Sequence, residues 1–280
     1  MNIQNAINNA SLYLKKNSIK SYKIDSEILM SEATNKDKKF LILNYNQKLN
    51  QKYLDRYTNL VQQRSKGEPI AYLLKKKDFW KYEFYISNKV LVPRPETEII
   101  IEEILNITQN KSKLKILDIG VGSGCILLSI LKEKKNFYGV GVDISKKCIE
   151  NSKINALKLG LIDRSKFVKS DIDNFFNGKY DLIVSNPPYI NKLNLKYLER
   201  DIIDFEPKLA LDGGLDGLSE IRKTINKSSQ LIKKNGKLIL EIAFDQKYKV
   251  IKLLKNKGFY INKVLKDFAK KDRCIISTKI

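Results

Sequence analysis

The sequence predicts an α/β protein, with a mainly parallel seven-stranded sheet ending in an antiparallel hairpin and a small helical domain ahead of it. Three observations predict this. From residue 96 onward, apolar strand-like runs alternate with helical stretches. The last two strand candidates are joined only by the short polar segment 266–273. Residues 1–74 repeat apolar side chains at helical spacing and contain no glycine before Gly67. Alternating strands and helices imply parallel pairing with helices on both faces. A short polar connection has no room for a crossover helix, so the final pair must be antiparallel.

In chain order, Ile7, Leu12 and Leu14, then Leu54, Tyr57, Leu60 and Val61, recur at three- and four-residue spacing and mark short helices. Asp25 and Ser26 are expected to cap a helix running through Ile28, Leu29 and Met30. Residues 1–76 therefore read as an N-terminal helical domain. The aromatic run from Phe79 to Ile86 alternates like a strand, and with Val90, Leu91 and Val92 it predicts a hairpin around Ser87-Asn88. That makes 77–95 a hairpin linker, stiffened by Pro93 and Pro95. In the remaining domain, 96–280, the strands are expected at 114–118, 138–143, 167–170, 182–185, 237–241, 260–265 and 274–278. Helices are expected at 97–107, 144–159, 219–233 and 246–257.

Composition removes several function classes. The chain of 280 residues contains no histidine, which excludes Ser-His-Asp and Cys-His nucleophilic sites and most catalytic zinc sites. Its three cysteines, Cys125, Cys148 and Cys274, are scattered and odd in number, which fits a reducing compartment rather than a disulfide framework. No metal is expected. With no signal-like start and no membrane-length apolar run, the expected location is the cytoplasm. The net charge of +22 suits a nucleic-acid partner, but the lysines are spread along the whole chain, as a biased composition would also produce.

The first strand of the larger domain runs into Asp118-Ile119-Gly120-Val121-Gly122-Ser123-Gly124, after which Cys125 opens a helix. Glycines let a ligand approach the backbone, and a helix N-terminus adds free N–H groups. The spacing is Gly-x-Gly-x-Gly, with Cys125 where a dinucleotide site wants its third glycine, so a pyrophosphate cradle is disfavoured. S-adenosyl-L-methionine has no phosphate, and Asp118 stands where an acid suits its amino-acid moiety. The second strand ends in Asp143, with Ile144 following, where an acid can accept both ribose hydroxyls. The third ends in Ser170-Asp171-Ile172, placed to meet the adenine rim.

The fourth strand ends in Asn186-Pro187-Pro188-Tyr189. Neither proline can donate to a ladder, so the strand stops and the Pro187 carbonyl is held in a definite direction. The Asn186 side-chain oxygen and that carbonyl form two neighbouring acceptors for a planar –NH2 group, and Tyr189 offers a flat face beside it. Hydrogen bonds to both protons push electron density onto a poorly nucleophilic nitrogen, and alignment supplies much of the rate without a strong base. Asn186 to Tyr189 are the expected catalytic and substrate-binding residues, and Asn186 is also expected to contact the cofactor.

With these residues the chain resembles the bacterial peptide chain release factor glutamine N5-methyltransferases, which are Rossmann-like class I methyltransferases. The resemblance extends through Gly67 to Tyr72, Leu91 to Glu98, Glu206-Pro207, Ala210 to Leu218, and Lys266-Asp267 with Asp272-Arg273. It implies transfer of a methyl group from S-adenosylmethionine to the glutamine of the Gly-Gly-Gln loop in class I release factors, with the helical domain helping to hold the factor. It also implies cofactor contacts from residues 120–124, Asp143 and the segment around Asp171 and Ile172, and places Arg94, Glu96 and Glu98 along the cofactor side. Val121 replaces a threonine common in the family, and Ala269-Lys270-Lys271 replaces a glycine-containing turn. The alternative is a nucleic-acid adenine or guanine N-methyltransferase, because Asn-Pro-Pro-Tyr also suits an exocyclic base amine. No target-recognition domain is evident for it. A dehydrogenase fails on glycine spacing, and a binding protein without activity is at odds with the intact turn and amide grip.

Overall fold

A computed structural model describes all 280 residues, which divide into two compact units. The first comprises residues 1–75 together with 199–205, and the second 76–198 together with 206–280. No helix is long and apolar enough to cross a membrane.

The helical unit contains α1 (Ile3–Lys16), α2 (Tyr22–Thr34), α3 (Lys38–Leu43), α4 (Gln51–Ser65) and α5 (Ile70–Leu73). Asn2 starts α1 by accepting the Asn5 N–H, and Ile3, Ala6, Ile7, Ala10 and Leu14 form its buried stripe. Leu12, expected inside, is exposed on the opposite side. The cap expected at Asp25 and Ser26 is also corrected, since α2 begins at Tyr22 and both residues are buried within it. Asp25 serves a tertiary contact instead. Its carboxylate accepts the Arg64 Nε–H at 2.7 Å, while Arg64 also donates to the carbonyls of Gly67 and Glu68. Asp201 stands 3.9 Å from the same guanidinium.

The second unit opens with a two-stranded ribbon, β1 (Lys76–Phe79) and β2 (Tyr82–Tyr85). The hairpin therefore turns at Trp80-Lys81, not at Ser87-Asn88, and residues 90–92 form no strand. The physical reason lies on the outer edge of β2. Asn155 accepts the Tyr85 N–H and Asn151 the Ser87 N–H, and both donate to the Tyr85 carbonyl. That edge is thus already occupied. The turn is fixed by carboxylates, with Glu98 accepting the Trp80 backbone N–H and Glu133 accepting both the indole N–H and the Tyr82 hydroxyl.

The main body then runs α6 (Glu98–Ile107), β3 (Lys115–Ile119), α7 (Cys125–Glu133), β4 (Tyr138–Asp143), α8 (Lys146–Lys158), β5 (Ser165–Lys169), β6 (Tyr180–Ser185), α9 (Arg200–Phe205, part of the helical unit), α10 (Ser219–Leu231), β7 (Ile232–Glu241), α11 (Lys247–Asn256), β8 (Phe259–Lys266) and β9 (Asp272–Lys279). The sheet order is β5-β4-β3-β6-β7-β9-β8, parallel except that β9 lies antiparallel to both β7 and β8. The expected seven strands and terminal hairpin are present, with β9 inserted beside β7 and β8 left at the edge. The central strand β3 is buried along its length after Lys115, as a parallel strand covered on both faces must be. Ile221 and Ile225 of α10 and Val250 and Leu254 of α11 share one core with Leu117, Ile183, Leu238 and Ile275.

From β3 the chain steps outward to β4 and β5, then returns past β3 to β6. This reversal leaves a crevice beyond the carboxyl ends of β3 and β6, the usual ligand position in such sheets. The glycine turn follows β3 and the Asn-Pro-Pro-Tyr segment follows β6, so the topology brings these separated motifs together.

Candidate active site

The crevice holds a cavity of about 290 Å³, near the lower end of the range for small-molecule sites. Among the residues expected to bind cofactor, Gly120, Val121, Gly122, Ser123, Asp143, Ile144, Asp171 and Ile172 line it. Asn186, Pro187 and Pro188 line the same cavity from β6. Asp118, Gly124 and Tyr189 do not.

The turn after β3 is built as a cradle. Gly120 has φ +75°, and a Cβ there would meet nothing within 4 Å, so the backbone faces open space. Asp143 holds this turn from the end of β4. One of its oxygens accepts the Gly122 N–H at 3.0 Å and the other the Ser145 N–H at 2.9 Å. Burial raises the Asp143 pKa and these two amides oppose the rise. Val121, in place of the family's threonine, packs its side chain against Gly141, where a Cβ would come within 2.7 Å of it.

Asp118 lies behind the cradle, 1% exposed, and neither carboxylate oxygen has a hydrogen-bond partner at bonding geometry. Burial pushes its pKa up to about 7, opposed by the Leu127 amide and assisted by Asp143. Burial also pushes the Cys125 and Cys148 thiols up to about 12, which disfavours the reactive thiolate form.

At the other wall, Asn186 donates its Nδ2–H to the Thr97 hydroxyl at 3.3 Å, and its Oδ1 accepts no hydrogen bond from the chain. Tyr189 reaches away from the cavity, its OH donating to Glu241 Oε1 at 3.3 Å. The segment beyond is strapped down. Gln246 donates to the carbonyls of both Tyr189 and Gly217 at 2.9 Å. Gly217 has φ +72°, and a Cβ there would come within 2.6 Å of the Tyr189 carbonyl, so only glycine fits.

Several residues at the site escaped the sequence reading. Glu241, at the end of β7, is 2% exposed, and burial pushes its pKa up to about 7, while Thr97, Arg273 and Tyr189 oppose the rise. Its Oε2 has no hydrogen-bond partner. An acid closing the apolar run Leu238-Ile239-Leu240 was the available signal, the same one that marked Asp118 and Asp143. Thr97 was hidden between two glutamates. Those two do not act as expected along the cofactor side, since Glu96 is exposed off the lining and Glu98 holds the Trp80 turn. Arg94 does line the cavity, paired with buried Glu206 at 2.5 Å.

Comparison with known proteins agrees with this geometry. Residues 5–74 match the family model described as PrmC N-terminal domain, and residues 96–252 the one described as methyltransferase small domain. Over its full length the chain is 36% identical to the release factor glutamine methyltransferase of Clostridium acetobutylicum, spanning 99% of that protein. The chain belongs to the release factor glutamine methyltransferase family. A second relative with that name, from Buchnera aphidicola subsp. Schizaphis graminum, is 37% identical over 91% of this chain and 92% of its own. A bifunctional methyltransferase of Rickettsia typhi is 34% identical across 98% of this chain, which spans only 56% of that protein. Among solved structures, a methyltransferase from Pyrococcus furiosus superposes with TM-score 0.54 at 17% identity, over 80% of this chain and 98% of its own. The ribosomal protein L11 methylase of Lactobacillus delbrueckii subsp. bulgaricus gives 0.51 at 17%, over 73% and 89%. These two show the Rossmann-like methyltransferase fold. The protein is a methyltransferase whose methyl donor is S-adenosyl-L-methionine.

Proposed function

We propose that this methyltransferase transfers the methyl group to the side-chain amide nitrogen, N5, of the glutamine in the Gly-Gly-Gln loop of class I peptide chain release factors, in the cytoplasm. One observation carries the reading. The Asn186 amide nitrogen donates to the Thr97 hydroxyl, its oxygen has no partner in the chain, and the residue lines the cavity that the glycine cradle also lines. The full-length likeness to proteins named for release factor glutamine supports the substrate.

The cradle residues fit the donor. Gly120 and Gly122 leave open backbone beside a buried acid, Asp118, whose oxygens lack partners, and Asp143 and Asp171 present carboxylates at the next two strand ends. When bound, S-adenosylmethionine supplies an electrophilic methyl on a sulfonium. The chain's own groups do the rest. Asn186 Oδ1 and the Pro187 carbonyl accept the two amide protons, draw the nitrogen lone pair out of conjugation and aim it. The prolines hold that carbonyl without reorganisation. No histidine is needed, because the amide proton is lost after the nitrogen has become strongly acidic.

The test is transfer of labelled methyl from S-adenosylmethionine to purified release factor, with a glutamine-to-alanine change in its loop as control. Labelling that disappears in the control establishes reaction and substrate together. Labelling of DNA or RNA instead would overturn the partner, and the comparisons lend no support to that outcome.

A further inference from the structure

The two ends of the main sheet carry unlike charge. The chain enters β3 to β8 through segments 108–115, 134–138, 159–166, 175–181, 232–236 and 256–258, and the antiparallel β9 leaves at the same end through 279–280. These segments hold twelve Lys and Arg but only two acids, Asp163 and Asp181. Asp181 is already engaged, one oxygen accepting the Lys115 N–H at 2.8 Å and the other the Lys233 ammonium at 2.7 Å. Glu133, just before 134–138, is paired with Lys81 at 3.1 Å. At the carboxyl ends, by contrast, Asp143, Asp171, Asp212 and Asp245 stand among the lysines. Charge that is even along the chain is therefore uneven in space.

Part of this excess has a local cause. Lys134, Lys179 and Lys279 donate to the carbonyls of Thr108, Gln230 and Lys257, which close α6, α10 and α11, and cations are favoured at helix C-termini. That cause does not cover Lys113, Lys166 and Lys234, which are exposed at the same end. They stand beside β3, on β5 and on β7, so they span four strand spacings, about 19 Å. Between them lies a hollow of about 450 Å³ bounded by Lys113, Lys115, Tyr138, Asp181 and Lys233. Tyr138 is 46% exposed at its rim, with the Lys113 ammonium 5.4 Å from the ring centroid. A row of cations without counter-acids, beside an accessible ring, matches a chain of phosphates that carries unstacked bases.

We propose that this amino-end face of the sheet is a docking surface for single-stranded RNA, with phosphates along Lys113, Lys166 and Lys234 and a base against Tyr138. The face lies at the opposite end of the strands from the cavity, so the RNA tethers the enzyme and is not its methyl acceptor. The choice of RNA over DNA rests on the proposed substrate, a protein of translation; the charge distribution does not depend on it.

The test is fluorescence anisotropy with a short labelled single-stranded RNA of mixed sequence, in the absence of methyl donor and release factor. The triple variant Lys113→Gln, Lys166→Gln, Lys234→Gln should bind about tenfold more weakly at about 0.1 M salt and lower the log–log salt slope by about 2. Tyr138→Ala should weaken binding about five- to a hundredfold, and Tyr138→Phe should restore it. A control, Lys147→Gln, Lys249→Gln, Lys270→Gln, removes the same charge from the other end and should change affinity by less than about twofold. Thermal melts establish that each variant is folded. Equal losses in the two triple variants would reveal a general polycation and overturn the surface. Tighter binding to DNA of the same sequence, or to vesicles of anionic phospholipid, would overturn the RNA partner. Failure to label release factor would remove the proposed substrate and leave this surface standing on its own readout.

Discussion

Asn186 illustrates how much a single side chain owes to its neighbours. Its residue type and place after an apolar strand were readable from the chain, because Asn-Pro-Pro-Tyr is a local signal. The contact of its amide with the Thr97 hydroxyl was not, since that residue stands 89 positions earlier. Asn186→Ala should lower turnover by about thirty- to a thousandfold, equivalent to about 2–4 kcal/mol, and leave donor affinity nearly intact. Single-turnover kinetics beside calorimetric binding would check this, and an equal loss of binding would move Asn186 out of its catalytic role. Asp143 behaves differently. Its carboxylate holds two backbone amides as well as facing the cavity. Asp143→Ala should therefore weaken donor binding and also lower stability by about 1–3 kcal/mol through the unsatisfied amides. Calorimetry with a thermal melt separates the two, and unchanged affinity would rule out a donor-binding role.

At the scale of elements, the strand–helix alternation after residue 96 was legible because parallel strands are continuous apolar runs, as in β3 and β6. The hairpin was misplaced because its turn depends on Glu98 and Glu133 and its outer edge on Asn151 and Asn155, none of them local. Asp25 was read as a cap for a similar reason, since its partner Arg64 lies 39 positions on. Breaking that buried pair with Arg64→Met leaves a carboxylate without its counter-ion and should cost about 3–5 kcal/mol, measurable by urea unfolding. The β8–β9 turn carries strain of its own. Lys270 holds φ +61°, a left-handed conformation that a side chain disfavours. Lys270→Gly should raise stability by up to about 1 kcal/mol, and a lowered melting temperature would show that the lysine side chain compensates.

At the scale of the molecule, the switch point between β3 and β6 gathers two motifs more than sixty residues apart, and that much followed from the order of elements alone. What the order did not disclose was the buried acidity beneath the site. Asp118 and Glu241 both have pKa values raised to about 7 by burial. A carboxyl raised on folding contributes stability that is complete below its unfolded value and is lost as pH climbs through the folded one. The wild type should thus lose stability relative to Asp118→Asn between about pH 4 and pH 7. Melting temperatures of the pair across that window test it, and parallel curves would mean that Asp118 titrates normally.

The helical unit is discontinuous, because α9 belongs to it although it lies more than a hundred residues downstream of α5. This bears on heredity as much as on mechanics. A recombination that replaced residues 1–75 as though they were a module would set one parent's Arg64 against the other parent's residue 201, and one parent's Gly67 against the other's residue 205. The two stretches can be inherited well only as a pair, so the apparent boundary near residue 75 is a poor place for the lineage to cut.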